Sequence, residues 1–112
     1  MENIVYNELR FRGYNVDVGV VEMRDHSAKL DRKALEIDFV ANLGSKRYYI
    51  QSAFTMPDDA KREQENRPLR HTGDSFRKII VTGDNTRICR NNDGHTIMNI
   101  QDFLLNPDSL DL

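Results

Sequence analysis

Long apolar runs, paired cysteines and an excess of positive charge are all missing from this sequence of 112 residues. No apolar run approaches the ~20 residues that would cross a bilayer, and the first residues lack the apolar centre of a signal peptide. The single cysteine, Cys89, has no partner for an intramolecular disulfide, and no cysteine and histidine pair has zinc-ligand spacing. These absences predict a soluble protein of a reducing, cytoplasmic compartment, without a membrane partner.

Charge is nearly balanced, since sixteen Lys and Arg residues stand against eighteen Asp and Glu residues and give a net charge of −2. This balance provides no bulk positive field for binding a polyanion, although it leaves a local basic patch open. Hydrophobic residues make up 38% of the chain, which is too many for a disordered sequence. We therefore expect a single folded domain over residues 1–112. Three histidines lie far apart and are interpreted as ordinary surface or loop residues: His26, His71 and His95.

The first part of the chain predicts one amphipathic helix and one strand. Residues 2–12 carry apolar side chains at helical spacing, and Gly13 is a stop signal. Residues 14–22 alternate apolar and polar side chains, as a half-buried strand does. Residues 24–33 are charged and unpatterned, and we interpret them as an exposed loop. The side chains expected to face the core are Ile4, Val5, Leu9 and Phe11 of the helix and Tyr14, Val16, Val18 and Val20 of the strand.

A β-hairpin is predicted over residues 34–54, with Gly44 and Ser45 as its turn residues. This turn places Asp38 opposite Gln51 on one face of the hairpin. A four-residue loop gives the same register, whereas a three-residue loop would shift it and mix the two faces. The other face then gathers apolar side chains for a helix to cover: Ile37, Phe39, Ala41, Tyr48 and Ile50.

Further elements follow the hairpin. Residues 57–66 are predicted as a helix, because carboxylates suit its amino end and Pro68 would end it. Residues 77–82 have the pattern of a short buried strand, and residues 87–100 that of a second hairpin turning at 91–94. Residues 101–105 are predicted as a closing helical turn. The predicted order is α-β-β-β-α-β with an appended C-terminal β-hairpin, which is an α/β fold with a mixed sheet.

The polar face of the first hairpin is a candidate metal site. Glu8 lies one turn after Ile4, at the edge of the apolar stripe of the first helix, where it can approach Asp38 and Gln51. Carboxylate and amide oxygens suit Mg²⁺, which orients water and stabilises a phosphodiester transition state. The same pattern also fits a solvated hairpin face on which Gln51 only bonds across the strands. The residues by themselves leave both interpretations open.

Several short motifs, taken in order, resemble a known family. They are ENIVYNELRFRGYNV at 2–16, EIDFVA at 36–41, YYIQSA at 48–53, the Lys61-Arg62-Glu63 helix, Pro68-Leu69, and RKIIVTGD at 77–84. Together they resemble the C-terminal domain of unknown function found on many bacterial and archaeal AAA-type ATPases. The resemblance covers nearly the whole chain and implies a restriction-endonuclease-like, PD-(D/E)XK fold.

That fold places an acid on its second strand and an (E/Q)-x-K motif on its third. The resemblance therefore implies catalytic positions for Glu8, Asp38 and Gln51, with Glu8 and Asp38 as ligands of Mg²⁺. Ala53 stands where the motif calls for lysine. The ammonium group that would position water or stabilise phosphate charge is missing there.

The resemblance also implies a parent ATPase. No G-x-x-x-x-G-K-[ST] motif occurs in these residues, so ATP is expected to bind only in an upstream domain. Residues 1–112 are then a domain from the C-terminus of a longer chain. Lys61 and Arg62, on the helix after the hairpin, are candidates for reaching back to the site and binding there. The alternative is that both belong to a solvated helix face.

Three functions follow from these residues. The leading hypothesis is a degenerate, non-catalytic accessory domain of an AAA-type ATPase that binds nucleic acid or a protein partner, because Ala53 replaces the lysine. The second is a Mg²⁺-dependent nuclease built on the two acids and the glutamine. The third is a protein-interaction or regulatory domain with a recognition surface near Tyr48, Tyr49, Phe54 and Met56, although core or edge packing is the more common role of such residues.

Overall fold

The computed structural model describes residues 1–23 and 33–112. The predicted loop at 24–33, apart from its last residue, and His26 lie outside the described residues. Among the described helices, none is long and apolar enough to cross a membrane. The elements are α1 (Glu2–Phe11), β1 (Asn15–Met23), β2 (Lys33–Leu43), β3 (Lys46–Ala53), α2 (Asp59–Arg70), β4 (Arg77–Thr82), β5 (Cys89–Arg90), β6 (Thr96–Asn99), α3 (Ile100–Leu105) and a 3₁₀ helix (Ser109–Asp111).

The strands of the described part form a six-stranded mixed sheet in the order β1-β2-β3-β4-β6-β5. Strand β2 runs antiparallel to both β1 and β3, whereas β3, β4 and β6 are parallel to one another. Strands β5 and β6 pair as the predicted second hairpin. The predicted mixed α/β class is confirmed, and the closing 3₁₀ helix is an element that the sequence pattern did not indicate.

Apolar side chains are buried on both faces of this sheet, because alternate residues of the central strands point in opposite directions. The cluster on the α1 side contains Val5, Leu9, Ala41, Tyr48, Ile50, Ile79, Val81, Met98, Phe103 and Leu110. The cluster on the α2 side contains Ile37, Tyr49, Ala53, Leu69 and Ile80.

Helix α1 buries a narrower stripe than its sequence predicts. Val5 and Leu9 are fully buried, whereas Ile4 is 50% and Phe11 is 86% exposed. Val5 and Leu9 lie four residues apart and therefore on one face, while Phe11 lies about 200° around the helix from Leu9. The prediction that Ile4 and Phe11 face the core is wrong.

The edge strand β1 is covered along only part of its length. Tyr14 and Val16 pack against the cluster on the α1 side. Val18 and Val20, which continue the same face, are 65% and 64% exposed. Their predicted burial is wrong, because alternation assigns them a face but cannot say where the covering helix ends.

A β-bulge interrupts the pairing of β1 with β2. The register shifts between Asp17 and Gly19, so that two residues of β2, Asp38 and Phe39, lie opposite a single residue of β1. Ile37 consequently lies on the α2 side of the sheet, and the prediction that it shares a face with Phe39 is wrong. Gly19 permits this close approach, since a Cβ atom there would lie 3.0 Å from the Cβ atom of Ile37.

The first hairpin turns where the sequence predicts. Leu43 pairs with Lys46 and Phe39 pairs with Ile50, which is the predicted register. Gly44 has a φ of +61°, a conformation that glycine adopts without strain. The regular ladder ends at the Phe39–Ile50 pair. Asp38 and Gln51, which were predicted to lie opposite each other, therefore do not form a pair of this ladder.

Helix α2 extends past its proline. Asp58 caps the amino end, where its Oδ1 atom accepts a hydrogen bond of 2.8 Å from the N–H of Lys61. The predicted end before Pro68 is wrong, because the helix runs on to Arg70. Leu69 is fully buried in this last turn. Its burial offsets the single hydrogen bond that a proline nitrogen cannot donate.

Candidate functional site

Asp38 and Gln51 are joined through backbone groups of each other's strand. Gln51 Oε1 accepts a hydrogen bond of 2.8 Å from the N–H of Asp38, and Asp38 Oδ2 accepts one of 2.8 Å from the N–H of Ser52. Both bonds form just beyond the last regular pair of β2 and β3. We call Asp38, Gln51 and Ser52 the strand clamp, because these two bonds between side chain and backbone continue the contact of β2 with β3 where the regular ladder has ended.

Gln51 is the buried centre of the strand clamp. Its side chain is 3% exposed. Its Nε2 atom donates to the carbonyl oxygen of Glu65 on α2 at 3.3 Å, while its Oε1 atom faces the N–H of Asp38. The amide therefore ties three elements together. Its carbonyl oxygen, which a metal ion would need, already has a donor.

Asp38 lies among other carboxylates. Burial raises the pKa of Asp38, the hydrogen bond from Ser52 lowers it, and the negative charges of Glu2, Glu65 and Glu36 raise it further. The balance leaves the pKa above its ordinary value, because these charges and the loss of solvent disfavour the ionised form. Negative potential around Asp38 is unfavourable for a phosphodiester backbone.

The two predicted binding cations of α2 have different surroundings. Lys61 Nζ lies 3.0 Å from Glu65 Oε1, so its charge is paired with a carboxylate that also acts on Asp38. Arg62 lies 3.4 Å from Asp59, and its side chain is 59% exposed. Lys61 thus lies on the side of α2 that carries Glu65, whereas Arg62 belongs to the solvated face.

Ala53, which stands at the position of the motif lysine, lies in the hydrophobic core. Its side chain is 3% exposed and belongs to the cluster with Tyr49, Leu69 and Ile80. A lysine there would extend into apolar side chains under α2. The absence of lysine is therefore matched by packing that leaves it no room.

Glu8 is not brought to the strand clamp. Its Oε1 atom lies 3.1 Å from Arg12 Nε, and within the described residues it makes no hydrogen bond or ion pair with Asp38 or Gln51. The acid of α1 that acts on Asp38 is Glu2. Six residues separate Glu2 from Glu8, which is about 9 Å along the helix and about 240° around it.

Arg12 explains where Glu8 points. Its guanidinium donates to Ser109 Oγ at 2.9 Å, to the Asn106 carbonyl oxygen at 3.0 Å and to the Phe103 carbonyl oxygen. It also lies 4.8 Å from the centroid of the Phe103 ring. These bonds of Arg12 hold the carboxyl end of α1 against the C-terminal segment, and its ion pair with Glu8 keeps that carboxylate at Arg12.

The strand clamp does not fit a magnesium ion. In the parts of the chain that the structure describes, no three His, Cys, Asp or Glu side chains come together in a group able to hold a metal. Both Asp38 Oδ2 and Gln51 Oε1 accept backbone hydrogen bonds. The arrangement can order two strands and a helix, and it offers a cation no open set of oxygens.

The tyrosines of the third hypothesis are not surface residues. Tyr48 is 4% and Tyr49 is 8% exposed, so both pack in the core, and neither contributes to the recognition surface of the third hypothesis. The hydroxyl of Tyr48 bonds to Asp111, and that of Tyr49 bonds to Asp74 at 2.6 Å. Phe54 is 72% exposed. Alternation along β3 had indicated which way each ring points, but not that both faces of the sheet are covered.

Two substitutions of Asp38 distinguish the contribution of its hydrogen bond to stability from the contribution of its charge. Asp38→Asn should leave the domain at least as stable at pH 7, because an amide oxygen still accepts from Ser52 while the repulsion from Glu2 and Glu65 is removed. Asp38→Ala should cost about 1–3 kcal/mol, because it leaves the N–H of Ser52 without its partner. Urea unfolding of both variants measures this, and equal losses would contradict it.

The stability of Asp38→Asn relative to wild type should depend on pH. Because the pKa of Asp38 is raised in the folded state, its proton stabilises the fold fully below pH ~4, and that contribution is lost as pH rises through the raised pKa. The stability advantage of Asp38→Asn over wild type should therefore grow as pH rises from ~4 towards neutrality. An advantage that shrinks over this range would show that the carboxylate is stabilised in the fold.

The chain is similar in sequence to a segment of a longer protein. No family model matches the chain. An uncharacterized protein of Haemophilus influenzae is 40% identical over 108 residues, which cover 94% of this chain and 22% of that protein. The chain thus spans 22% of the length of the curated relative that it matches, so a similar segment occurs there within a much longer polypeptide.

Proposed function

We propose that residues 1–112 form a non-catalytic PD-(D/E)XK-like domain that serves as the accessory part of a longer ATPase and binds nucleic acid or a partner protein. The strand clamp carries the proposal. Asp38 and Gln51 occupy the positions of a nuclease motif, yet both direct their oxygens at backbone N–H groups. Residues that would act on a phosphodiester are used here to hold strands together.

The order of elements supports the nuclease-like part of the proposal. Helix α1, strands β1 to β3, helix α2 and strand β4 follow one another as α-β-β-β-α-β, the core that the resemblance implies. Asp38 lies on the second of these strands and Gln51 on the third. The place of the lysine is filled by Ala53 and its apolar neighbours.

The length of the relative supports the proposal that this domain is an accessory part of a longer protein. A segment 40% identical to this chain makes up 22% of that protein, as a domain of a larger machine would. The ATPase assignment rests on the order of the sequence motifs from 2–16 to 77–84. Because residues 1–112 have no phosphate-binding loop motif, ATP hydrolysis would belong to another part of such a protein.

A cleavage assay tests the proposal. The domain at pH 7 to 8 with Mg²⁺ or Mn²⁺ is expected to leave supercoiled plasmid, linear duplex, branched DNA and single-stranded RNA intact. Asp38→Ala and the control Asp59→Ala, which removes an exposed acid of α2, should behave like wild type.

The two variants separate the possible sources of activity. Metal-dependent cutting by wild type and Asp59→Ala that disappears in Asp38→Ala would establish a nuclease and overturn the proposal. Cutting by all three would point to a contaminating enzyme, and a repeat after further purification should remove it. In the complete ATPase chain, Asp38→Ala should leave ATP hydrolysis measurable, since the proposal gives Asp38 no part in it.

A further inference from the structure

A concave site separate from the strand clamp opens at the amino ends of the parallel strands β4 and β6. It is a cleft of about 550 Å³ between the end of α2, the segment at 72–78 and the turn between β5 and β6. Gln51 of the strand clamp pairs with Ile80, whereas the cleft lies beside Arg77 and Lys78, about 7–10 Å earlier along β4.

The lining of this cleft is predominantly cationic, although the whole chain has a net charge of −2. Four positively charged side chains face two carboxylates there, so positive charge is concentrated in one concave place. We call it the cationic cleft. The cations are Arg70, Arg77, Lys78 and Arg90, and the carboxylates are Asp74 and Asp93.

One of these cations builds the floor of the cleft. Lys78 Nζ donates to the carbonyl oxygens of Asp74 at 2.9 Å and Phe76 at 2.6 Å, and it lies 5.5 Å from the centroid of the Tyr49 ring. Burial by itself would raise the pKa of Asp74, but bonds from Tyr49, Lys78 and the Phe76 N–H lower it. Asp74 therefore remains ionised and fixes this segment.

The arginines supply the charge that remains. Arg70 Nε lies 3.2 Å from Asp93 and also pairs with Glu63. Arg77 donates to the main-chain oxygen of Leu112 at 2.6 Å, and it has no ion pair with an Asp or Glu side chain of the described residues. Arg90 has no ion pair with any residue in 1–23 or 33–112. An anion entering the cleft would therefore meet two guanidinium groups, those of Arg77 and Arg90, that have no carboxylate side chain as a partner in the described residues.

His95 presents an unpaired nitrogen to the cleft. It lies in the turn before β6, as expected of a loop histidine, but its side chain is 3% exposed. Its Nδ1 atom lies 2.7 Å from Asn66 Oδ1, an oxygen that can only accept, so Nδ1 carries the proton. Asn66 is itself held by bonds to Arg62 and Asn91.

The other ring nitrogen, Nε2, has no partner among the described residues. Since no buried side-chain N or O atom of this part of the chain is left without a hydrogen bond, Nε2 must reach the surface. The surface that His95 lines is the cationic cleft. The buried imidazole thus lies in the lining of the cleft, and its Nε2 atom is available as an acceptor.

Burial lowers the pKa of His95, the positive charges of Lys78 and Arg70 lower it further, and Asp93 raises it. The ring is therefore neutral at pH 7. A bound anion would offset the nearby cations and favour the imidazolium form.

An aromatic ring completes the lining. Phe76 is 41% exposed at the cleft, with the guanidinium of Arg47 5.7 Å from its ring centroid. Stacking of a nucleobase on such a ring stabilises a complex by about 1–3 kcal/mol. A planar group and an anionic group can therefore both be bound here.

We propose that the cationic cleft binds a nucleotide, with its phosphates paired to the arginines, its base on Phe76, and His95 Nε2 bonded to the ligand. A volume of about 550 Å³ lies within the range of small-molecule sites. A long polynucleotide would require an extended basic surface, whereas these four cations lie together in one cleft. The proposal is independent of the non-catalytic role of the strand clamp.

Titration of the purified domain with ADP, followed by NMR of the His95 imidazole, tests this proposal. ADP is expected to shift the His95 signals saturably and to raise the pKa of His95. Pyrophosphate and adenosine, which supply the two halves of the ligand, should each bind more weakly than ADP. An oligonucleotide of ten thymidines should bind no tighter than ADP.

Matched variants assign the contacts. Arg90→Gln should weaken ADP binding about tenfold, because a charge-assisted bond is lost. Arg87→Gln, which alters an exposed arginine outside the cleft, should leave binding unchanged. Phe76→Ala should weaken ADP binding but not pyrophosphate binding.

Three results would overturn the proposal. The first is no saturable shift of His95 at roughly 1 mM ADP. The second is equal weakening by Arg90→Gln and Arg87→Gln. The third is binding of the oligonucleotide much tighter than binding of ADP, which would make the cleft part of a nucleic-acid surface.

Discussion

Arg12→Ala is expected to destabilise the domain by about 3 kcal/mol, because it removes one donor group from four acceptors at once. The Arg12 side chain is 8% exposed and bonds to Glu8, Phe103, Asn106 and Ser109. Without the guanidinium, each of these partly buried oxygens loses one donor, and the Glu8 carboxylate loses its counter-charge. The carbonyl oxygens of Phe103 and Asn106 keep their bonds from Ser109. The contact of α1 with the C-terminal segment should weaken most.

The measurement is denaturant unfolding of Arg12→Ala beside Arg10→Ala, which removes an exposed arginine from the same helix. Arg10→Ala should change the free energy of unfolding by about 0.5 kcal/mol or less. Arg12→Lys retains the charge but cannot reproduce the forked bonds, so it should fall between the two. Equal stability of the two alanine variants would show that the Arg12 bonds contribute nothing.

Gln51→Ala should cost about 1–3 kcal/mol, because it leaves the N–H of Asp38 without its partner and removes the side-chain bond to the carbonyl oxygen of Glu65. The loss arises from the junction of β2, β3 and α2. It does not depend on any ligand. Gln64→Ala, at an exposed glutamine of α2, is the matched control and should be close to neutral.

Gln51→Glu asks whether the strand clamp retains any affinity for metal. A carboxylate at this position lies beside Asp38, so the variant should be less stable than wild type at pH 7 and should recover as pH falls. Unfolding curves with and without Mg²⁺ decide the role of the site. Rescue of Gln51→Glu by Mg²⁺ that is absent from Gln64→Glu would show a metal site and contradict a purely structural clamp.

Much of the first hairpin was predictable, because a short turn and strand alternation are local properties. Gly44 and Ser45 set the register, and with it the neighbourhood of Asp38 and Gln51. The bulge at Asp38 was not predictable, since it depends on how β1 approaches β2 at Gly19. At this bulge the side chains of Asp38 and Gln51 bond to backbone N–H groups and not to each other.

The position of Glu8 could not be predicted because it depends on the rotation of α1 about its axis. Spacing indicates an apolar stripe, but several rotations bury part of it. Burial of Val5 and Leu9 and the Arg12 bonds select one rotation, which carries Glu2 towards Asp38 and Glu8 away from it. Helix rotation is a tertiary property, so spacing alone could not decide which acid of α1 approaches Asp38.

The sequence by itself determined the α/β class, the order of elements, the hairpin turn and the absence of lysine at Ala53. These follow from composition, alternation and turn chemistry, which act over a few residues. Only the tertiary structure decided that Gln51 is buried under α2, that Tyr48 and Tyr49 are core, and that His95 opens into a cationic cleft. The physical reason is that burial and hydrogen-bond partners depend on elements distant in sequence, which local patterns do not specify.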